Sequence, residues 1–362
     1  MRIELSRRKM LIVALITAIF LLALFLRLRA ATRLPEEYDE GVYVGNAIDL
    51  AGFIRNFDFG SFISYNTNLE HPLFGKFMFS LAILVKNSLL SARFVSVVLG
   101  LLTVLLITLR TPVGGFFLAT ELLTVKYSSM VYLEAGAVFF ALISLLLYER
   151  WKKNTKWFYL SAVAGGLAFA TKYTTVWVFQ VILILILVDN SKNWRLAVKK
   201  IFIWFAIAAV VFMAVNPPFW TDSKLLHSLQ YHGEFAGGTQ HKVFPSFWDH
   251  LSIIWNSEPT TMHPGVFLID IEKIILVLGF LGFPLMLYRK KTMESLWFAF
   301  ALIFLFAWPV KWPHYALIFT PALAMSAGFL LEEFVHVGFG SIKIYLKRVR
   351  ASFSNALRKL RR

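Results

Sequence analysis

Two short stretches hold residues suited to acid–base and anion chemistry. The first, Glu36-Glu37-Tyr38-Asp39-Glu40-Gly41-Val42-Tyr43, gathers carboxylates in a chain that has only 21 Asp and Glu in 362 residues. The second, Asn68-Leu69-Glu70-His71-Pro72-Leu73-Phe74-Gly75-Lys76, sets an acid, an imidazole and an ammonium group around a Pro and a Gly that favour a turn. A carboxylate at the edge of a low-dielectric region can take a proton from a hydroxyl or ligate a metal ion. Lysine and histidine beside it can hold an anion. Asp39 and Glu40 lie next to Tyr38, Gly41, Tyr43 and Gly45, a mix that suits the start of an interfacial helix. There the positive end of the helix dipole favours negative charge. The plainer reading of any one of these acids is a solvated loop.

The elements that must position these groups are apolar. Hydrophobic residues make up 58% of the chain and charged residues 16%, against about a quarter charged in ordinary soluble domains. The chain therefore reads as an all-α polytopic membrane protein. Its formal net charge is +16, but Lys and Arg fall between apolar runs, so topology accounts for them and no nucleic-acid partner is implied. With no cysteine, disulfides, thiolate metal sites and cysteine nucleophiles are excluded.

A span needs about 20 apolar residues, and on that ruler about ten spans are expected. They lie near 10–28, 91–109, 112–126, 132–148, 157–171, 174–188, 201–215, 272–288, 294–310 and 314–331. The first follows Arg7-Arg8-Lys9 and reads as an uncleaved signal anchor in the plasma membrane. Those cations place the N-terminus in the cytoplasm. Three basic loops then share its side: Arg150 to Lys156, Lys192 to Lys200, and Arg289 to Lys291. Arg27, Arg29 and Arg33 sit on the opposite side, at the head of a long loop where the rule is weak.

Two long loops are thereby placed outside the cytoplasm, 28–90 and 216–272. The second holds five of the eight histidines: His227, His232, His241, His250 and His263. His232 is a candidate metal ligand, with an ordinary loop histidine as the simpler reading. The run Leu73 to Val85 is short for a span and reads as an interfacial or re-entrant helix. Residues 1–335 form one expected domain. The remainder, 336–362, spaces Leu346, Val349, Phe353, Leu357 and Leu360 among seven cations, a basic amphipathic helix for an anionic inner leaflet.

The Asp-Glu pair after a signal-anchor helix, followed by His-Pro-x-x-Gly-Lys, resembles the protein O-mannosyltransferase family and the bacterial lipid A aminoarabinose transferases. Both have the GT-C fold of polyprenyl-phosphate-dependent glycosyltransferases. The likeness continues in Tyr127-Ser128-Ser129-Met130-Val131-Tyr132-Leu133-Glu134, in Gly165-Gly166-Leu167-Ala168-Phe169-Ala170-Thr171-Lys172-Tyr173, and in Lys311-Trp312-Pro313-His314-Tyr315. It covers most of residues 1–331.

What the resemblance implies is a set of roles. Asp39 becomes the catalytic base toward the acceptor, with Glu40 supporting it and Glu134 as a second acid where Asp is more usual. Lys172 falls near the donor phosphate. Glu70 falls where the aminoarabinose transferases place a metal-binding acid, and His71 where they place a phosphate-contacting Lys. An imidazole holds phosphate less well, so His71 could bind metal instead. Lys76 and either Arg27 or Arg29 complete the cations available to a phosphate. A divalent metal ion at Glu70, with His232, is the one cofactor implied, and its requirement is open.

The expected function is an inverting transfer of a sugar from a polyprenyl (dolichyl or undecaprenyl) phosphate, dolichyl phosphate mannose among the candidates. The hydroxyl acceptor, on a protein, glycolipid or glycan, would be met at the non-cytoplasmic face. A membrane transporter or lipid-linked sugar flippase, using the same acids as a coupling site, is the alternative. Both termini are expected in the cytoplasm.

Overall fold

The computed structural model of the chain describes residues 7–68, 70–220, 224–238, 271–307 and 312–336. Among them every regular element is helical. Helix α1 spans Arg7–Arg33, α2 Tyr38–Arg55, α3 Phe59–Ser64, α4 Leu73–Val85 and α5 Leu89–Arg110. There follow α6 Pro112–Thr120, α7 Leu122–Tyr127, α8 Leu133–Arg150, α9 Lys156–Thr171, α10 Val176–Asp189, α11 Trp194–Ala214 and α12 Lys224–Gly238. Last come α13 Lys273–Tyr288, α14 Thr292–Ala307 and α15, residues 320–336. Short 3-10 turns occupy Tyr173–Thr175, Pro217–Trp220 and Pro313–Ile318.

Three helices are long and apolar enough to cross a membrane: Met10–Arg33, Leu89–Arg110 and Trp194–Ala214. Shorter apolar helices include Leu73–Val85, Tyr173–Asp189, Lys273–Tyr288 and Thr292–Ala307. The apolar runs read from the sequence fall on helices, with two substantial differences: run 314–331 opens as the 3-10 turn Pro313–Ile318 and is α-helical only from residue 320, and run 112–126 is interrupted. Run 112–126 is two helices, broken at Glu121, whose backbone is extended. The break is stable because each loose end is capped by charge. The Glu121 carboxylate accepts from Leu123 N (3.1 Å) and Thr124 N (2.6 Å), the first open donors of α7. Arg27, buried in α1, donates from Nη1 to Ala119 O and from Nη2 to Leu118 O, both 3.3 Å, the open acceptors at the end of α6. A cation thus meets the negative end of one helix and an anion the positive end of the next.

The core is one large cluster running through α1, α5, α8, α10, α14 and α15, with Trp177 stacked on Trp297 at 5.3 Å. Small residues let backbones close in. A Cβ on Gly166 would come 2.6 Å from Ala208 O, so α9 and α11 touch there only because that side chain is absent. Gly75 matters more for function. Its Cβ would lie 2.6 Å from Leu133 Cδ2 and 3.3 Å from Thr171 O. The first turn of α4 is therefore wedged between the start of α8 and the end of α9. The basic tail, His241, His250, His263 and Lys311 lie outside the described residues.

Candidate active site

The starts of α2, α4 and α8, the end of α9 and the turn Pro313–Ile318 meet at one end of the bundle. Asp39 and Glu40 lie in the first turn of α2 and Glu134 in the first turn of α8, where the helix dipoles favour carboxylates. Lys172 sits in an extended break between α9 and the turn Tyr173–Thr175.

Glu134 and Lys172 form an ion pair that is buried on both sides. His314 Nε2 stands 3.5 Å from Glu134 Oε1, and Lys172 Nζ lies 4.6 Å from the centre of the Tyr315 ring. Glu134 Oε2 has no hydrogen-bond partner among the described residues. Aromatic rings line this corner: Tyr132 is 5.0 Å from His314 and 4.9 Å from Tyr127, and Tyr43 is 6.3 Å from Tyr132. Tyr43 also faces His71, 5.9 Å away.

Asp39 is half-buried beside this pair. Burial raises its pKa above the ordinary carboxylate range, with Lys172 pulling it down and Glu37 pushing it further up. Glu37 is itself held, accepting from Tyr132 Oη at 2.8 Å and pairing with Lys126 at 2.7 Å. Glu70 is likewise raised by burial, opposed by Lys76 and reinforced by Asp39. Asp39 thus acts on Glu70, and Lys172 and Lys76 act on these acids. A half-buried carboxylate with a raised pKa that still faces a cation is suited to receiving a proton.

The structure gives four of the expected residues different surroundings from those the sequence suggested. Glu40 does not stand beside Asp39 as an open acid. Arg93 grips it with Nε on Oε1 (2.7 Å) and Nη2 on Oε2 (2.6 Å), and Val131 N donates to Oε1 at 2.8 Å. The same guanidinium donates to the carbonyls of Ala31, Leu34 and Pro35 past the end of α1. Glu40 therefore fixes the α1–α2 corner, with both oxygens committed. Lys76 Nζ donates to Asn68 O (2.5 Å) and Asn68 Oδ1 (3.2 Å), and Asn68 Nδ2 donates to Glu70 Oε1 (2.6 Å). Its ammonium closes the turn that presents Glu70 and His71. Arg27 is the cap of α6, far from a phosphate role. Arg29 is exposed on α1, and while Thr32 Oγ1 donates to its backbone carbonyl at 3.1 Å, its guanidinium has no ion-pair partner among the described residues.

Among the described residues no group of three His, Asp or Glu stands close enough to hold a metal ion. Glu70 is flanked by cations instead, Lys76 foremost. The backbone of His232 lies in α12, and its side chain is outside the described residues.

Several residues of this corner carried no separate signal in the sequence. Arg93 stands near the start of the apolar run 91–109, and an Arg inside such a run is a sign of a buried partner. Tyr43 falls one helical turn beyond Asp39, and His314-Tyr315 belong to the aromatic-basic motif before the last apolar run.

Comparison with known proteins bears on this geometry. Residues 70–220 match the family model of dolichyl-phosphate-mannose-protein mannosyltransferase, a stretch that includes Glu70, His71, Lys76, Glu134 and Lys172. No curated protein sequence matches the chain. The archaeal oligosaccharyltransferase AglB from Archaeoglobus fulgidus, in complex with an inhibitory peptide and a dolichol-phosphate, superposes with a TM-score of 0.61 at 14% identity. That match covers 96% of this chain and 52% of that one. ArnT from Cupriavidus metallidurans, bound to undecaprenyl phosphate, superposes with a TM-score of 0.54 at 18% identity, over 88% of this chain and 60% of that one. The chain has the GT-C fold. It spans about half to three-fifths of the length of these structures. Within the GT-C fold of this chain, the corner built on Asp39, Glu70, Glu134 and Lys172 is where acids and cations converge.

Proposed function

We propose that the chain is an integral membrane glycosyltransferase that moves a sugar from a polyprenyl-phosphate carrier to a hydroxyl acceptor. The observation that carries this reading is the half-buried Asp39, pushed toward proton acceptance, beside the buried Glu134–Lys172 pair at the helix ends of a GT-C fold. The family description over residues 70–220, and the polyprenyl phosphates bound by AglB and ArnT, support the donor class.

In the step we assign, the acceptor oxygen attacks the anomeric carbon from the face opposite the phosphate. The acceptor O–H proton passes to Asp39 and the bond from the anomeric carbon to the phosphate oxygen breaks. The carrier leaves as polyprenyl phosphate and the configuration inverts. Charge gathering on the leaving oxygen is offset by Lys172, a cation already desolvated in the fold, with His71 at the rim. Glu134 holds Lys172 in place. Asp39 carries the one proton transfer, and Glu40 keeps its helix turn in register. We place this corner on the non-cytoplasmic side of a multi-pass protein of about ten spans, as the basic loops favour.

The test is transfer from a synthetic polyprenyl-phosphate mannose in proteoliposomes holding the purified chain. Asp39→Asn should lower the transfer rate by about 10²–10⁴-fold, the usual worth of a positioned general base, while the protein remains folded and inserted. Undiminished turnover by that variant removes Asp39 from the mechanism. Carrier crossing the bilayer without any sugar transfer would favour the transporter instead.

A further inference from the structure

The first turn of α4 lacks a cap of its own. Its N-cap residue is Pro72, which offers no side-chain hydrogen bond. The open donors are satisfied from 143 residues away: Leu73 N and Phe74 N donate to Asn216 Oδ1, at 2.7 Å and 3.2 Å. Asn216 is fully buried just past the end of α11. Its side-chain amide is held in turn, since Nδ2 donates to Phe212 O at 2.6 Å, and its backbone carbonyl accepts from Phe219 N at 3.0 Å. Only one orientation of the amide meets both sets of partners. Oδ1 must face α4 and Nδ2 must face α11.

What hangs on this cap is the site. Directly before α4 come Glu70 and His71, and within it Gly75 presses against Leu133 and Thr171, the neighbours of Glu134 and Lys172. Asn216 also lines, with His71 and Lys76, the small cavity beside the turn. We infer that Asn216 is a positioning residue for the transfer reaction, a helix cap supplied in trans that holds the Glu70–Lys76 turn against the Glu134–Lys172 pair. It touches no reacting atom in this role. The inference rests on the function proposed above.

Two measurements on the full-length protein test it. Hydrogen exchange of a peptide covering residues 70–78 should be slow in the native protein and in Asn216→Asp, where one carboxyl oxygen accepts both amides and the other, protonated in this buried place, donates to Phe212 O as the amide did. In Asn216→Ala the same peptide should exchange about 2- to 30-fold faster, the range expected for a lost cap. Transfer per folded protein should fall roughly ten- to hundredfold in kcat/KM for Asn216→Ala, the scale of a small misplacement, and recover in Asn216→Asp. If the Ala variant does not accumulate, Asn216→Leu, of similar size and with no acceptor to cap α4, is read in the same way. Unchanged protection in Asn216→Ala overturns the cap. Faster exchange with unaltered kcat/KM overturns the positioning role, and so does an Asp variant as impaired in transfer as the Ala variant. A native protein that transfers no sugar overturns the proposed function and the positioning role, while the exchange result still reports on the cap itself.

Discussion

The two ends of the bundle handle charge in opposite ways. At the site end, Arg93 and Glu40 are 3% and 0% exposed, and Lys172 and Glu134 are 1% and 0% exposed. At the far end, Arg110 bridges Glu149 and Glu294, Lys152 pairs with Asp189 at 2.5 Å, and Arg289 pairs with Glu333. There no pair is buried on both sides: Glu149, Lys152 and Arg289 are 47%, 63% and 51% exposed, and Arg110, against the buried Glu294, is 22% exposed. Taking two charges out of water costs several kcal/mol per ion before their attraction offsets it. A fold that needs only stability gains more from apolar packing. Buried pairs at one end alone therefore mark the place where orientation of charge is worth that cost.

Removing one partner of a buried pair sharpens the contrast most. Arg93→Met strands the Glu40 carboxylate and should destabilise the protein by about 3–5 kcal/mol, read as a lower unfolding temperature in detergent. The double variant Arg93→Met with Glu40→Leu should recover much of that loss, because no lone charge remains. A single variant as stable as the native protein would mean the corner is not closed as described. At the far end, Lys152→Ala should cost less than about 1 kcal/mol, since its ammonium is screened by water. A loss comparable with that of Arg93→Met would erase the distinction between the two ends.

The smallest effect expected is on the pH dependence of stability, and its sign is definite. Burial raises the pKa of Asp39, so the folded state holds the proton more tightly than the unfolded chain does. That contribution favours folding below the ordinary aspartate pKa and is lost as pH rises through the higher folded value. Asp39→Asn should therefore be slightly more stable than the native protein at neutral pH, with the difference vanishing in acid. Unfolding temperatures of both proteins across that range check it. On the proposed function, the same raised pKa places the acid limb of kcat/KM above the range of an exposed carboxylate. A limb at the ordinary value would separate Asp39 from the titration.

Much of the organisation was legible in the linear order. Periodic apolar runs located the helices because each run must bury itself in a non-aqueous surrounding, whatever its neighbours. The acid-rich stretch at Glu36–Glu40 and the turn at Asn68–Lys76 stood out because charge is scarce here. The break at Glu121 was harder to see, since an apolar run with one acid reads as continuous. Only Arg27, brought alongside from α1, makes ending α6 there inexpensive.

Sequence by itself thus determined the class of solvent, the helical elements and the short list of residues able to carry chemistry, because composition and periodicity are local properties. Tertiary structure alone decided which of two adjacent acids, Asp39 or Glu40, is held in a clamp and which stays half-buried under the charge of Lys172. It also decided that Asn216 caps a helix begun 143 residues earlier. The physical reason is that burial and partner choice belong to the packed arrangement. A carboxylate's role follows from the charges and donors that distant segments bring within a few ångströms.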